Sequence, residues 1–266
     1  MSFIVIGTQN VLYPQPPAYS GEVPERASPF GYDKGEDGMM HENWVRRKAV
    51  HLNNFSQALP DILCLQEVTW RVFEDFQHTL CLIGYALQYQ CHPTSGHGVA
   101  IAWKNSRFGL LHAHTGSFAY GSQTRAHLVV RLMELTTKKT VQVACCHLFD
   151  PRDLTDKKSH IQAVATTLSQ FKADLSAVAG DFNQDQYGDL AQGEDESAPR
   201  PRKKCSLISY LKGRRFKCAP FVKTTERGKE RHIDHIFVQG RTPEYVEVPT
   251  DPSASDHLYF SVKVQL

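Results

Sequence analysis

Short apolar runs separated by polar turns alternate along this chain with longer stretches whose apolar positions recur at helical spacing. Phe3 to Ile6 is a β-branched run that predicts a buried strand, stopping at Gly7-Thr8-Gln9-Asn10. Residues 13–40 are rich in Pro, Gly and Tyr, carry neither helical nor strand period, and read as a long loop. Trp44, Val45, Ala49, Leu52, Phe55 and Leu59 are spaced for a helix that Pro60 ends. Asp61 to Leu65 predicts the next strand, running straight into Gln66-Glu67-Val68. A helix from Trp70 to about Leu82 comes after it, stopped near Gly84. Strand-like runs come next at Tyr85–Tyr89, Val99–Trp103, Phe108–His114, His127–Leu135 and Val141–His147. Ser159 to Phe171 predicts a helix, Leu175 to Ala179 a strand ending at Gly180-Asp181, and His232–Val238 and Leu258–Val264 two late strands.

Mixed strands and helices without an internal repeat predict an α/β fold. The composition shifts once, at about 193–231, which is polar and mostly basic after the acidic patch Glu194-Asp195-Glu196. Strands lie on both sides of this stretch, and the segment after it is too short for a core of its own. We therefore expect one catalytic domain over residues 1–266 with a basic insertion. A hydrophobic fraction of 41% suffices for a sizeable core. The formal net charge is only +2, so any basic surface is local. Seven cysteines, an odd number without Cys-x-x-Cys pairing, read as reduced thiols. The apolar start, Met1 to Gly7, is short for a signal peptide and lacks a basic leader. No uncharged run approaches the ~20 residues that span a bilayer. These features predict an intracellular protein, cytoplasmic or nuclear, without stable membrane association; no protein partner is readable.

The polar residues carry the chemistry by their position. Asn10, Glu67, His147, Asp181, Asn183, Asp234, Asp256 and His257 lie within or just beside apolar strands, mostly at the C-terminal end. In layered α/β folds such strand ends converge at one rim. Carboxylates gathered there repel one another unless a cation neutralises them. Hard oxygen ligands (Glu67, Asp181, Asp256, the Asn10 and Asn183 amides) suit Mg²⁺ or Mn²⁺ better than Zn²⁺. Each residue alone has a bland reading: Glu67 as a solvated turn residue, Gly180-Asp181-Phe182-Asn183 as a self-bonded turn, Asp234 as a strand-edge charge. The bland readings do not account for the ordered set.

Gln9-Asn10, Leu65-Gln66-Glu67-Val68, Cys146-His147-Leu148, Gly180-Asp181-Phe182-Asn183, Ile233-Asp234-His235-Ile236-Phe237 and Ser255-Asp256-His257 occur here in the order of the exonuclease–endonuclease–phosphatase superfamily. The chain resembles that superfamily over residues 9–257. The resemblance implies a four-layered α/β sandwich, two packed mixed sheets flanked by helices, and in-line hydrolysis of a phosphoester with Mg²⁺, or Mn²⁺ in its place. It implies Glu67 as the main metal ligand with Asn10 beside it, and Asp256 in or near the metal shell. Asp181 would orient or deprotonate the attacking water, and Asn183 would position that water or the phosphate. His257, held in its tautomer by Asp234, and His147 would contact the phosphate.

A finer resemblance is to the deadenylase, nocturnin and 2′,5′-phosphodiesterase branch. It rests on Asn10-Val11-Leu12, Trp44-Val45-Arg46-Arg47-Lys48, Phe73-Glu74-Asp75-Phe76, Gly84-Tyr85 and Gly98-Val99-Ala100-Ile101 with Ser106-Arg107-Phe108. The chain departs from that branch at Gln184–Asp189 and at His97, where an acidic residue is expected. Arg125 is a candidate phosphate contact; Tyr13, Tyr19, Phe30 and Tyr32 are candidates to stack on a base. Arg200, Arg202, Lys203, Lys204, Lys212, Arg214, Arg215 and further cations up to Arg231 face only Glu226 and Glu230. Such a patch favours a polyanionic substrate, or meets an anionic membrane surface; the branch resemblance implies RNA above other nucleic acids and a deadenylase-like 3′-to-5′ exoribonuclease. The competing readings are a DNA repair phosphodiesterase (abasic-site or 5′-tyrosyl), a lipid or inositol phosphoesterase and, in another class, a non-catalytic nucleic-acid-binding module.

Overall fold

The computed structural model describes residues 2–11, 42–94, 96–120, 123–149, 154–184, 206–219, 224 and 232–266. Its elements run in the order β1 (Phe3–Asn10), α1 (Glu42–Ala58), β2 (Ile62–Thr69), α2 (Trp70–Leu82), β3 (Tyr85–Cys91), β4 (His97–Lys104), β5 (Phe108–Tyr120), β6 (Gln123–Glu134) and β7 (Thr140–His147). Then come α3 (Leu154–Ser169), β8 (Leu175–Asp181), α4 (Ser206–Gly213), β9 (Phe216–Cys218), β10 (Asp234–Gln239), β11 (Glu244–Tyr245), a 3₁₀ turn at Pro252–Ala254 and β12 (Phe260–Gln265). One sheet has the order β11-β12-β1-β2-β4-β3, the other β5-β6-β7-β8-β10-β9. Both are mixed: β1 and β2 are parallel, as are β7 and β8, while the other neighbours run antiparallel.

Strands buried on both faces explain the continuous apolar runs. Between the sheets lie Ile6, Ile62, Cys64, Ile101, Val130, Val143, Cys145 and Ala177, among others. The outer face of the first sheet is covered by Trp44 and Phe55 of α1 and Val72, Phe76 and Leu80 of α2. The second is covered by Ile161, Val164 and Leu168 of α3 and Leu207 and Leu211 of α4. The result is the four-layered α/β sandwich. Each large aliphatic side chain so buried contributes about 1.5–3 kcal/mol, and Ile62→Ala at the centre costs about 2–5 kcal/mol. Thr69 caps α2, its hydroxyl accepting from Val72 N at 3.1 Å.

Three departures from the sequence expectations matter for the site. β1 does not stop at Gly7 but continues to Asn10, because Gly7 and Thr8 pair with Ser261 and Phe260 while Asn10 pairs with Gln66. The glycine is there for close approach: a Cβ on it would come 2.2 Å from Tyr259 Oη. β8 likewise continues through Gly180, whose φ of +142° and whose contact (a Cβ would meet Cys146 O at 1.9 Å) both require glycine. Within the stretch expected to be one basic insertion, α4 and β9 are regular elements, and Leu207, Ile208, Leu211 and Phe216 are buried against α3 and β10. Among the described residues the cysteines are free thiols, and no helix is long and apolar enough to cross a membrane.

Candidate active site

Strand register builds the site. Asp181 pairs with His147 across the parallel β7–β8 ladder and with Asp234 across the antiparallel β8–β10 ladder. Three polar residues at three strand ends thus stand side by side in the second sheet. From the first sheet, Asn10 ends β1 and donates through Nδ2 to Glu67 Oε1 at 2.9 Å and to Asp181 Oδ2 at 3.1 Å. The two sheets meet at this amide.

Glu67 owes its direction to a β-bulge. The β2–β4 register shifts between Gln66 and Val68, and Glu67 takes φ 59°. A bulge re-aims the side chain relative to its strand neighbours, and a non-glycine residue in the left-handed region costs about 1–3 kcal/mol, a cost concentrated at functional sites. Asn183 is held in the same region at φ 46°. Its N–H donates to Asp181 Oδ1 at 2.7 Å and its Nδ2 to Leu148 O at 3.0 Å. The buried Lys157 ammonium donates to its carbonyl.

His257 lies between two carboxylates. Its Nδ1 is 2.9 Å from Asp234 Oδ2 and its Nε2 3.7 Å from Asp181 Oδ2. His147 Nε2 lies 3.7 Å from Asp181 Oδ2 and 4.0 Å from Glu67 Oε1. Burial disfavours the charged imidazolium of His257, but the Asp234 and Asp181 charges outweigh it and raise the pKa to about 10. Burial raises Asp181 to about 7, against the lowering pull of His257 and with the repulsion of Asp234. His147 moves the other way, held well below 6.5 by burial and by Arg125, His92 and His97.

Supporting bonds converge on the same groups. Ser255 Oγ donates to Asn10 O at 2.8 Å and accepts from His257 N at 3.1 Å. Gln9 Nε2 donates to His257 O at 3.2 Å. Thr224 Oγ1 accepts from Ile233 N and Asp234 N, and Thr224 O from Leu258 N. Buried Arg47 donates to Val11 O and Ala254 O at 2.6 and 2.7 Å, tying α1 to the segments before and after the site. The sequence motifs missed Lys157, Thr224 and His92. A lysine inside an otherwise apolar helical face was the one available signal; the other two act through bonds with no sequence signature.

Asn10, Glu67, His147, Asp181, Asn183, Asp234 and His257 thus come together as the sequence placed them. Asp256 is half-buried beside His257, and its charge adds to those that raise His257. Arg125 contacts the rim from β6, its Nη1 2.7 Å from His97 Nε2 and its guanidinium 5.4 Å over the Phe149 ring. Arg214 and Arg215 require a correction. They adjoin Gln239 and Gly240, since Gln239 Nε2 and Gly240 N donate to their carbonyls. Asp234 is at the opposite end of that strand, five residues or roughly 17 Å away. The ladder between β9 and β10 carries this basic pair to the far end of the sheet. Arg202, Lys203 and Lys204, and the loop aromatics Tyr13, Tyr19, Phe30 and Tyr32, lie outside the described residues.

The donor set fits a hard divalent cation. Glu67 and Asp181 offer carboxylate oxygens close to one amide, and the Asn10 side chain, turned about its Cβ–Cγ bond, presents Oδ1 in place of Nδ2. The buried set Asp181, Asp234 and His257 is also close enough to hold an ion, but there His257 Nδ1 is already bonded to Asp234.

Comparison with known proteins bears on the fold and the family. RNA exonuclease NGL2 of Saccharomyces cerevisiae is 39% identical over 66 residues, which are 24% of this chain and 13% of that protein. The chain therefore matches only a small part of that relative's length. Among solved structures, ANGEL2, a 2′,3′-cyclic phosphatase in complex with adenosine-2′,3′-vanadate, superposes with a TM-score of 0.70 at 16% identity, covering 98% of this chain and 95% of the other. The human Nocturnin catalytic domain with bound sulfate gives 0.68 at 18% identity, covering 99% and 93%. At these identities the likeness is one of fold. The Endonuclease/Exonuclease/phosphatase family model matches residues 40–257, and the chain belongs to this family of phosphoester-hydrolysing enzymes.

Proposed function

We propose that this chain is a Mg²⁺-dependent phosphodiesterase of nucleic acid, acting on RNA or single strands as a deadenylase-like 3′-to-5′ exoribonuclease. We read residues 1–266 as one catalytic domain. The observation that carries the proposal is the junction of Asn10, Glu67 and Asp181 beside the His257–Asp234 pair, which joins a cation site to a phosphate site. The RNA assignment rests on the partial identity to an RNA exonuclease and on the basic segment around Arg202, Lys203 and Lys204, which suits a polyanion.

The residues divide the work. Glu67 and Asn10 would hold the cation, with Asp256 near them; when bound, it would supply Lewis-acid polarisation of the phosphoryl group and neutralise charge on the leaving oxygen. Asp181, oriented by Asn183 N–H, takes the proton of the attacking water. Asn183 positions that water. His257, fixed by Asp234 with Nε2 as a donor, binds a non-bridging phosphate oxygen, and His147 donates to it as charge builds.

The test is cleavage of end-labelled poly(A)-tailed RNA, random RNA, single-stranded DNA and an abasic duplex, with Mg²⁺, Mn²⁺ or chelator. A metal-dependent ladder from the RNA 3′ end supports the reading. Cleavage of the abasic duplex alone moves the chain to the repair phosphodiesterases, and cleavage of none of the four removes the nuclease assignment.

A further inference from the structure

At the end of the second sheet opposite the catalytic rim, the helix layer leaves a gap. α3 ends at Ser169 and α4 at Gly213, where the chain turns into β9. A cavity of about 320 Å³ lies there, within the ~300–1,000 Å³ of small-ligand sites. Side chains alternate along β8. Ser176 therefore shares the outer face with Val178, which packs on the helices, while Leu175 and Ala177 point between the sheets. Ala165, Leu168 and Phe216 give the cavity an apolar wall, and the exposed Lys172 and Arg214 complete its lining with Ser176.

Three polar groups of this lining have donors to spare. Ser176 is 8% exposed, and its hydroxyl makes no hydrogen bond among the described residues. A buried hydroxyl without a partner is costly, and this one opens on the cavity. Neither the Lys172 nor the Arg214 side chain forms an ion pair among the described residues, and no acidic side chain among them lines the cavity. The Arg214 guanidinium carbon lies 4.9 Å from the centroid of the Tyr210 ring. That contact covers one face of the guanidinium and leaves the N–H groups in its plane.

The helix ends do not consume these cations. Gln142 Nε2 donates to Leu168 O at 3.2 Å and to Phe171 O at 2.9 Å. Arg214 N donates to Tyr210 O at 3.3 Å and to Leu211 O at 3.0 Å. The backbone beneath each cation is pinned as well: Arg131 Nη2 donates to Lys172 O at 3.1 Å, and Gln239 Nε2 to Arg214 O at 3.2 Å.

A hydroxyl, an ammonium and a guanidinium without a carboxylate among them suit an anion with several acceptor oxygens. The apolar wall suits an organic body attached to it. We propose that this cavity is a second ligand site, which takes a small organic phosphomonoester. Ser176, Lys172 and Arg214 hold the phosphate, and Ala165, Leu168 and Phe216 cover the apolar body. Along β8, Ser176 is five residues from Asp181, roughly 17 Å. The site is thus separate from the catalytic rim, and it does not rest on the phosphodiesterase reading above.

The experiment titrates phenyl phosphate, adenosine 5′-monophosphate and inorganic phosphate into the whole chain, with chelator present so that no cation holds a probe at the rim. Affinity is read by calorimetry and location by NMR of the backbone amides. At least one organic phosphate binds about tenfold or more tighter than inorganic phosphate, because it also buries its apolar body, and the amides of Ser176 and Phe216 shift as it saturates. Arg214→Ala and Lys172→Ala, both at exposed positions, each weaken binding by about tenfold, as expected for one lost charged bond. Ser176→Ala weakens it by about threefold. The tighter of the two organic probes reports the size of the body the cavity takes. Equal affinity for inorganic phosphate, shifts confined to residues of the catalytic rim, or unchanged affinity in both cation variants overturns the site. So does the lack of saturable binding by either organic phosphate.

Discussion

His257 Nδ1 and Asp234 Oδ2 stand 2.9 Å apart, buried, across 23 residues of sequence. The bond ties the loop before β12 to the first residue of β10, and fixes which nitrogen of His257 faces Asp181. Replacing Asp234 with Asn keeps the shape but removes the charge that favours the imidazolium. We expect the His257 pKa to fall and hydrolysis to drop by about 10²–10⁴, the scale of losing an orienting carboxylate. His257 titration by NMR beside the pH–rate profile checks both; unchanged titration would refute the pairing.

Glu67 combines strain with a ligand role. Glu67→Gly removes the left-handed penalty, so we expect stability to rise by about 1 kcal/mol while metal-dependent hydrolysis is lost. Glu67→Ala keeps the strain and loses the activity without that gain. Chemical denaturation beside Mg²⁺ calorimetry separates the two effects.

Gly180→Ala puts a methyl group into the Cys146 carbonyl at a φ that only glycine tolerates. Because β8 carries Asp181, we expect a loss of about 3 kcal/mol or more, seen as a lower melting temperature or failure to fold. A melting temperature within error of wild type would contradict the described ladder.

Buried histidines predict an acid limb. Burial lowers His51, His160 and His232 to about 3 and His127 to about 4, from 6.5. The unfolded chain therefore binds more protons than the folded one between about pH 6.5 and 3. Stability is present above pH 6.5 and is lost as pH falls, by up to ~1.4 kcal/mol per pH unit per histidine. His257, raised to about 10, acts oppositely: its contribution is complete below pH 6.5 and is lost as pH rises toward 10. Melting temperature against pH measures both limbs. His160→Phe, at a ring stacked on Phe118, should flatten the acid limb by one group.

Arg202, Lys203 and Lys204 neutralise phosphates in the proposed function. Changing all three to Ala should reduce the slope of log affinity for single-stranded RNA against log salt by about 2. Arg214→Ala and Arg215→Ala, at the far end of β10, should leave it unchanged. Binding isotherms over a salt series decide; an equal change in both sets would undo the distinction.

The sequence by itself determined the layered α/β class, because strands buried on both faces must read as short apolar runs whatever they pair with. It also marked the main constellation, because polar residues at the ends of such runs occur in the order of the superfamily that the chain resembles. Asn10, Glu67, Asp181 and His257 were legible for that reason. The tertiary structure decided what depends on pairing. The bulge that turns Glu67 comes from β4 register, the continuation of β1 through Gly7 from its two flanking strands, and the order of α4 and β9 from burial against α3 and β10. Ladder direction moved Arg214 and Arg215 away from the rim. His92 is the clearest case: a histidine beside Pro93 in a hairpin reads as a surface residue until Ala126, from the other sheet, donates to its Nδ1 and fixes where its hydrogen points. Local propensity encodes where chain segments bury; which donor meets which acceptor is a long-range relation that exists only once the sheets have packed.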